Sequence, residues 1–279
     1  MPISTEKNFE EKFNLFKEWL TQQDNFTSND MIITANESSL ASGFSNETFI
    51  FNIKEKNISK NYVLRLKPSN YQVFPEYNLK LQVDIMRCLH KRGFPAPNVI
   101  LYESNDDILG SEFYLMDFIN GEAPSDNPPY HMDPEGMVGK ASKDERRKIW
   151  TEWLNYLSQI HIINIDEINL NILDDKYRNN DPIDIDITYY QNFLDWGMDG
   201  EDNPLCNDVI KWLRENKPKK HNALSLCWGD SRPGNILYQD FKATALLDWE
   251  MASYGDPISD VAWGLAVDDA SSLGLTIER

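Results

Sequence analysis

The sequence predicts an α+β fold of two lobes, a small β-rich N-terminal lobe over residues 1–118 and a larger helical C-terminal lobe over residues 119–279. Short strand-like apolar segments dominate the first part, whereas apolar residues at helical spacing dominate the second. The segment between them, "NGEAPSDNPPYHMDPEGMVGKAS", is rich in Pro, Gly and polar residues and is typical of an extended connection. A cleft between two lobes is a common place for a ligand, so we expect the functional site there.

The N-terminal lobe is predicted to be a small sheet with two helices. The opening helix is indicated by aromatic and aliphatic residues at spacings of three and four, namely Phe9, Phe13, Phe16 and Leu20. The segments "MIITANESSLASGFSNETFIFNI" and "YVLRLK" predict three strands, with a Gly/Ser/Asn loop between the first two. A helical stripe from about Glu76 to Arg92 and two further strands, "NVILYE" and "SEFYLMDFI", complete the lobe.

The C-terminal lobe is predicted to be mainly helical. A strong helix covers "KDERRKIWTEWLNYLSQIHII", and two helical patches follow near residues 187–196 and 206–215. Four tryptophans on these stripes are expected in the core: Trp150, Trp153, Trp196 and Trp212. The acidic run "DDKYRNNDPIDIDI" is predicted to be a solvated loop, with the alternative that its carboxylates line a pocket for an aminated substrate.

Composition and charge exclude several classes of function. The chain has a formal net charge of −18, which disfavours nucleic acid and anionic membrane as partners. Its three cysteines lack a CxxC spacing and its four histidines lack ligand spacing, so we expect neither a disulfide framework nor a zinc site. No signal peptide or membrane-spanning segment is evident, which together with the cysteines favours the cytoplasm. Oligomeric state is left open.

The stretch "WGDSRPGN", residues 228–235, carries the chemistry-bearing pattern. It leads into two apolar segments around the turn-like "QDFK", and their pairing as a hairpin would bring Asn235 and Asp248 together at its open end. Oxygen ligands of this kind suit Mg²⁺, which takes one or two carboxylates and completes its shell with phosphates and water. Asp230, just upstream, is then a candidate base for a hydroxyl proton.

The spacing of this pattern matches phosphoryl-transfer chemistry. Protein kinases place four residues between the catalytic Asp and the metal-binding Asn, followed by a second metal-binding Asp. Asp230 and Asn235 have the same interval, and Asp248 supplies the later carboxylate. Arg232 lies two residues after the base, where its cation could neutralise charge on the transferred phosphate.

The segments "WGDSRPGN" and "LLDWEMASYGDPISDVAW" resemble the aminoglycoside phosphotransferase and choline kinase superfamily, which is related to protein kinases. They are similar to a subgroup whose loop begins Trp-Gly-Asp and some of whose relatives are fused to acyl-CoA dehydrogenases. The segments "LASGFSNETF", "YVLRLKP" and "LGSEFYLMDFINGEAP" resemble the family's phosphate-covering loop, third strand and hinge. The resemblance covers most of the chain and implies a two-lobe, protein-kinase-like fold.

The resemblance also implies roles for particular residues. Asp230 would be the catalytic base, and Asn235 and Asp248 would hold Mg²⁺. The nucleotide would be bound by Arg65 at its phosphates, by the hinge Met116, Asp117 and Phe118 at its adenine, and by Gly43, Ser45 and Asn46 of the covering loop. The implied reaction moves the γ-phosphate of ATP to the hydroxyl of a small molecule, such as an aminoglycoside, an amino alcohol, a sugar or a hydroxyacyl-CoA.

The sequence departs from the family pattern at several positions. Trp228 replaces a histidine that supports the loop, and Arg65 replaces a lysine, with Lys67 as a second candidate. Either Glu76 or Gln82 is expected to take the position of the glutamate that pairs with that lysine. The chain ends soon after "DVAWGLAV", where relatives continue through further helices, which indicates either a chain truncated at its C-terminus or an incomplete acceptor pocket.

Two aspartates and a histidine near the motif are expected to support it rather than react. Asp256 and Asp260 are predicted to cap the final helix and brace the loop, and His161 to be packed and hydrogen-bonded. The sequence as a whole predicts an ATP- and Mg²⁺-dependent small-molecule kinase. Two alternatives stay open, a catalytically silent nucleotide-binding protein and a metal-dependent phosphate hydrolase.

Overall fold

The structure, a computed structural model, describes residues 6–26, 30–42, 47–68, 72–168 and 170–272. It has a β-sheet N-terminal region and a helical C-terminal region, which confirms the predicted α+β class. The chain divides into two compact units, Met1–Val83 with Pro97–Phe118, and Asp84–Ala96 with Ile119–Arg279. The division into functional lobes at residues 118 and 119 stays a prediction. The compact units differ from it in placing Asp84–Ala96 with the second unit.

The first unit contains an antiparallel sheet of five strands. Its elements are α1 (Glu6–Leu20), β1 (Met31–Ser42), β2 (Glu47–Glu55), β3 (Ile58–Leu66), β4 (Val99–Glu103) and β5 (Phe113–Asp117), with the strand order β1-β2-β3-β5-β4. Helix α2 (Leu79–Lys91) begins in this unit and continues into the second. Each strand thus pairs with a neighbour through the alternating hydrogen bonds of an antiparallel ladder.

Aromatic residues of α1 close the core of the first unit. Phe16 packs edge-on against Phe51, with ring centroids 4.9 Å apart, and Trp19 packs against Phe113 at 4.8 Å. These geometries are favoured by aromatic quadrupoles, and both pairs join α1 to the sheet. Phe13, Phe16 and Leu20 of the predicted amphipathic stripe therefore face the core, as expected from their spacing, and the side chain of Phe9 lies outside the described residues.

The second unit contains the remaining helices and two sheets of two short strands each. Its elements are α3 (Met137–Lys140), α4 (Lys143–His161), α5 (Asn171–Tyr177), α6 (Pro182–Met198), α7 (Pro204–Asn216), β6 (Ser225–Cys227), β7 (Ile236–Gln239), β8 (Lys242–Leu246), β9 (Ser253–Gly255) and α8 (Ile258–Ser272). Strand β6 pairs with β9, and β7 pairs with β8, both antiparallel. Helix α4 starts with a capping box, in which Ser142 and Glu145 satisfy each other's backbone N–H groups.

The acidic run predicted to be a solvated loop is instead largely helical. Asp181 caps α6 by accepting a hydrogen bond from the backbone N–H of Ile183, and Pro182 occupies the first turn. Proline at this position loses no intrahelical hydrogen bond, since its missing N–H would be unpaired anyway. The loop prediction was wrong because capping by Asp181 and Pro182 outweighs the polar composition of the run.

Of the four tryptophans predicted to lie in the core, Trp153 is buried and Trp150 is half-buried, but the other two are exposed. Trp153 is 1% exposed in α4, whereas Trp196 and Trp212 are 43% and 61% exposed. No side chain of α7, all of whose residues are described, is buried. Helical spacing thus indicated α7 correctly but could not show whether another element covers its apolar face. Within the described ranges, no helix combines the length and apolar composition that crossing a bilayer requires.

Candidate active site

The stretch "WGDSRPGN" forms the loop between β6 and β7. It ends in a 3₁₀ turn over Pro233–Asn235, after which β7 and β8 form the predicted hairpin. Ile236 lies opposite Leu246, and the backbone N–H of Leu247 donates to the carbonyl oxygen of Asn235 at 2.9 Å. Asn235 is therefore opposite Leu247, and Asp248 follows one residue beyond that pair. The hairpin brings the backbones of the two predicted metal ligands together at its open end.

The carboxylate of Asp230 is held by three different donors. The Nε of Arg232 donates to both carboxylate oxygens, at 3.0 and 3.1 Å. The Nδ2 of Asn235 donates to Oδ2 at 2.8 Å, and the indole Nε1 of Trp263 donates to Oδ1 at 2.7 Å. Donors to both oxygens fix the plane of the carboxylate. The arrangement suits a group that must accept or orient a proton.

Arg232 is enclosed by two carboxylates. Its Nε faces Asp230, and its Nη1 donates to Oδ1 of Asp126, which lies on the segment that follows β5. The side chain of Arg232 is only 17% exposed, so both ion pairs are partly shielded from water. Asp126 was missed by the sequence analysis because nothing in its neighbourhood marks it as functional. In this structure the charge of Arg232 is directed at protein carboxylates.

Asn235 is a buried amide whose nitrogen is committed to the loop. Besides Oδ2 of Asp230, its Nδ2 donates to the backbone oxygen of the same residue at 2.8 Å. Both amide hydrogens thus hold Asp230, and Oδ1 is the atom left to accept a hydrogen bond or to face a cation. Asp248 is half-buried and adopts a left-handed backbone with φ 62°. Two oxygen-bearing side chains on adjoining backbone suit Mg²⁺ in ligand type.

Gly229 lets the loop approach the segment that follows Asp248. It has φ +87°, and a Cβ atom at this position would collide with the carbonyl oxygen of Met251. A left-handed conformation costs a residue with a Cβ atom about 1–2 kcal/mol, and the collision adds to that cost. Glycine is therefore required here by both conformation and space.

We expect Gly229→Ala to lower the free energy of unfolding by more than Gly200→Ala does, by about 1–3 kcal/mol for the overpacking. Gly200 is the matched control because it has φ +88° and no atom within 4 Å of an added Cβ. Urea denaturation of both variants checks the difference. Equal losses of stability in the two variants would show that the close approach of Met251 does not require glycine at position 229.

Asp260 braces the loop from α8, as the sequence predicts. Its carboxylate is 1% exposed and accepts hydrogen bonds from the backbone N–H groups of Trp228 and Gly229, at 2.7 and 2.8 Å. His161 Nε2 lies 2.8 Å from Oδ2 of the same carboxylate. The predicted capping of the final helix is confirmed for Asp256, which accepts from the backbone N–H of Ile258 at 3.1 Å, whereas Asp260 lies inside the first turn of α8 and only braces the loop. The contacts of Asp260 fix the backbone at the start of the loop between β6 and β7.

His161, Cys227 and Asp260 lie close enough together to be considered as a metal-binding group. Asp260 already accepts three hydrogen bonds, one of them on each of its oxygens from the loop backbone. Burial raises the pKa of the Cys227 thiol, which disfavours the thiolate that a metal needs. The group is therefore better explained as a hydrogen-bonded support of the loop than as a metal centre.

Trp228, at the position where the family resemblance predicts a histidine, is packed inside the second unit. Its ring is fully buried and stacked on Trp249, with centroids 5.0 Å apart and planes at 19°. Its Nε1 donates to the carbonyl oxygen of Leu247 at 2.8 Å, directly before Asp248. Trp228 thus packs beneath the loop and is hydrogen-bonded next to Asp248, and its role in place of the family's histidine stays a prediction.

Asp186 of α6 is an acidic group close to the support of the loop. Its carboxylate lies near Gly255 of β9 and near Cys227, the residue before Trp228. Burial raises its pKa to about 6, with Lys176 opposing the shift and Asp260 adding to it. A carboxyl with a raised pKa beside the loop between β6 and β7 is a candidate for substrate contact. The sequence alone indicates this possibility only for the acidic run as a whole.

The predicted nucleotide-binding residues lie in the first unit or outside the described residues. Arg65 is half-buried on β3, between Thr48 of β2 and Tyr114 of β5. Met116 is a buried residue of β5, and Phe118 follows that strand directly. Gly43, Ser45 and Asn46 lie outside the described residues. The roles of all six stay predictions.

Glu76 and Gln82 are the two candidates for the position of the family's glutamate, which pairs with the strand lysine that Arg65 replaces here. Gln82 of α2 is 2% exposed and its Nε2 makes no hydrogen bond to the described part of the chain, whereas Glu76 is exposed and precedes the helix. Lys67, the second candidate cation, lies 3.8 Å from a carboxylate oxygen of Glu112. Burial favours Gln82 for an internal partner role, and its pairing with Arg65 stays a prediction.

Comparison with known proteins shows the family of this chain. Residues 37–275 match the model of the phosphotransferase enzyme family. The chain is 28% identical over 228 residues to human "Acyl-CoA dehydrogenase family member 11", a match that covers 79% of this chain and 26% of that protein. The chain therefore spans about a quarter of the length of the curated relatives it matches.

Solved structures share the fold. A protein from Ralstonia eutropha assigned as an aminoglycoside phosphotransferase has a TM-score of 0.64 and 19% identity, over 95% of this chain and 71% of that one. The streptomycin–ATP ternary complex of APH(2")-IIa has a TM-score of 0.56 and 16% identity, over 98% of this chain and 82% of that one. At these identities the likeness shows the fold alone.

Proposed function

This chain belongs to the phosphotransferase enzyme family, and from that premise we propose that it transfers the γ-phosphate of ATP to a hydroxyl group of a small molecule. The observation that carries the proposal is the carboxylate of Asp230, oriented by Arg232, Asn235 and Trp263 at the motif's predicted base position. A fixed carboxylate can align a hydroxyl with the phosphate and accept its proton as the new P–O bond forms. Positioning of this kind supplies much of the rate gain in phosphoryl transfer.

Mg²⁺ is the cofactor that this set of side chains fits. We assign its protein ligands to Oδ1 of Asn235 and the carboxylate of Asp248, because the amide nitrogen of Asn235 is already used by Asp230. When bound, the ion neutralises charge on the nucleotide's phosphates. Asn235 would then couple the base to the metal site, since one amide contacts both.

Arg232 is expected from its spacing to neutralise charge on the transferred phosphate, but its contacts support a structural role first. Its contacts with Asp126 and Asp230 support a role in holding the base and the segment after β5. Contact with the transferred phosphate would require the guanidinium to exchange at least one of these carboxylates. Its remaining donors could still serve the phosphate, since the guanidinium carries five N–H groups.

The acceptor is proposed as a hydroxylated small molecule of one of four classes: an aminoglycoside, an amino alcohol, a sugar or a hydroxyacyl-CoA. The names of the curated relatives, which are acyl-CoA dehydrogenases, support including the last class. The partly buried carboxyl of Asp186 supports including the two aminated classes, since an ammonium could pair with it.

A transfer assay with ATP labelled at the γ-phosphate tests the proposal. The protein, Mg²⁺ and a panel from the four acceptor classes are incubated, and labelled product is separated from inorganic phosphate. We expect label on at least one acceptor. Release of phosphate at the same rate without any acceptor would favour the hydrolase alternative and contradict transfer.

A catalytically silent nucleotide-binding protein is the second candidate function. It is favoured by Arg65, since arginine replaces the lysine that contacts the phosphates in kinases. An upward shift of the melting temperature with ATP and Mg²⁺, without transfer to any member of the panel, would support this alternative.

A further inference from the structure

One face of α8 contacts successive residues of the loop between β6 and β7. Asp260 accepts from the backbone N–H groups of Trp228 and Gly229, and Trp263, one turn later, donates to Asp230. Gly264 comes so close to the loop that an added Cβ would lie 2.6 Å from the carbonyl oxygen of Ser231. Positions three and four apart share a helix face, so these contacts come from one rigid element.

Trp263 differs in origin from the other donors to Asp230. Arg232 and Asn235 belong to the same loop as the base and move with it, whereas Trp263 is 33 residues further along the chain. Its Nε1 lies 2.7 Å from Oδ1 of Asp230. The indole therefore fixes the orientation of the Asp230 carboxylate relative to α8, and α8 also holds the backbone of the loop.

We propose that Trp263 is a positioning residue for the base, and the proposal rests on the function assigned above. The indole N–H fixes rotation of the Asp230 carboxylate by holding Oδ1, while Asn235 holds Oδ2. A hydrogen bond to an ionised acceptor is roughly twice as strong as a neutral one. Because small misplacements of a reacting group cost large factors in rate, loss of this contact should reduce the rate of transfer more than substrate binding.

Trp263→Phe tests the proposal because phenylalanine keeps an aromatic ring but has no N–H. We expect kcat to fall roughly tenfold, while KM for ATP and for the acceptor stays within about twofold, since misplacement lowers the rate of the chemical step. Trp212→Phe, at an exposed position of α7, should leave both constants unchanged. An equal kcat for Trp263→Phe and wild type, in a wild type that transfers phosphate, overturns the proposal.

Trp153→Phe separates positioning from general stabilisation of the loop. Trp153 donates its indole N–H to Oγ of Ser231 at 3.0 Å, so this variant also removes an indole hydrogen bond to the loop but not one to Asp230. We expect Trp153→Phe to lower the melting temperature and to change kcat by less than about threefold, because the base keeps its three donors. A larger kcat loss in Trp153→Phe than in Trp263→Phe would reduce the role of Trp263 to packing and overturn the proposal.

A spectroscopic experiment tests the contact independently of activity. Protein labelled with ¹⁵N at the indole nitrogens has eight tryptophans, and the Trp263→Phe spectrum identifies the signal of Trp263. Asp230→Asn should shift that signal and leave the exposed Trp212 signal unmoved, because it replaces the charged acceptor by a neutral one. An unmoved Trp263 signal overturns the proposal. This experiment tests the contact between Trp263 and Asp230 even if the wild-type protein transfers no phosphate. Absence of transfer by the wild type would contradict the proposed function and not this contact.

Discussion

Asp230→Asn is expected to lower kcat by about two to four orders of magnitude, the range that a positioned general base typically supplies. Asparagine keeps the size of the side chain but cannot take the hydroxyl proton. Its amide also presents donors where Arg232, Asn235 and Trp263 already donate. The loop should otherwise stay in place, since Asp260 holds its backbone.

Initial rates of transfer from labelled ATP measure this effect, using the acceptor found in the panel. Asp240→Asn is the matched control, because Asp240 is exposed in the turn of the β7–β8 hairpin with φ 50°, a conformation that asparagine tolerates. The control should retain wild-type kcat. A rate for Asp230→Asn within tenfold of wild type would remove this residue from the role of base.

Asp248→Asn is expected to raise the Mg²⁺ concentration needed for half-maximal rate by at least about a hundredfold, since loss of a group that only supports a metal ligand typically costs 10–100-fold. The amide replaces a charged oxygen ligand by a neutral one. Asparagine is chosen because Asp248 has φ 62°, where alanine would add backbone strain. The effect can therefore be attributed to the ligand and not to the turn.

Transfer rates across a Mg²⁺ titration measure the change at saturating ATP. Asp199→Asn serves as its control, since Asp199 also has a left-handed backbone, φ 48°, but lies exposed at the C-terminal cap of α6. We expect the control to follow the wild-type titration. If the curve for Asp248→Asn does so too, Asp248 does not bind the metal ion.

Local patterns predicted the hairpin of the site because local backbone hydrogen bonds determine it. Strands β7 and β8 pair across a turn of two residues, Asp240 and Phe241, both with positive φ. Tight turns select such conformations, and the flanking apolar residues fix which side is buried. The residue opposite Asn235 is Leu247 and not Asp248, because the tight turn and the register shift between Leu237 and Tyr238 together fix the pairing one residue short of Asp248.

Two predictions from local sequence patterns were wrong, one about a loop and one about burial. The polarity of the acidic run "DDKYRNNDPIDIDI" predicts a loop, although Asp181 and Pro182 within it form a good helix start. The helical stripe of α7 predicted a helix correctly, but burial of Trp212 depends on whether a second element packs there. Periodicity reports which face is apolar and not what covers it.

The chain by itself determined the α+β class, the interval between Asp230 and Asn235, and the hairpin that leads to Asp248, because these depend on spacing and on hydrogen bonds between near neighbours. Only the tertiary structure decided that Trp263 and Asp126, 33 and 106 residues from their partners, complete the surroundings of Asp230 and Arg232. Contacts over such distances depend on how α8 and the segment after β5 pack against the loop, and that packing leaves no periodic pattern in the sequence.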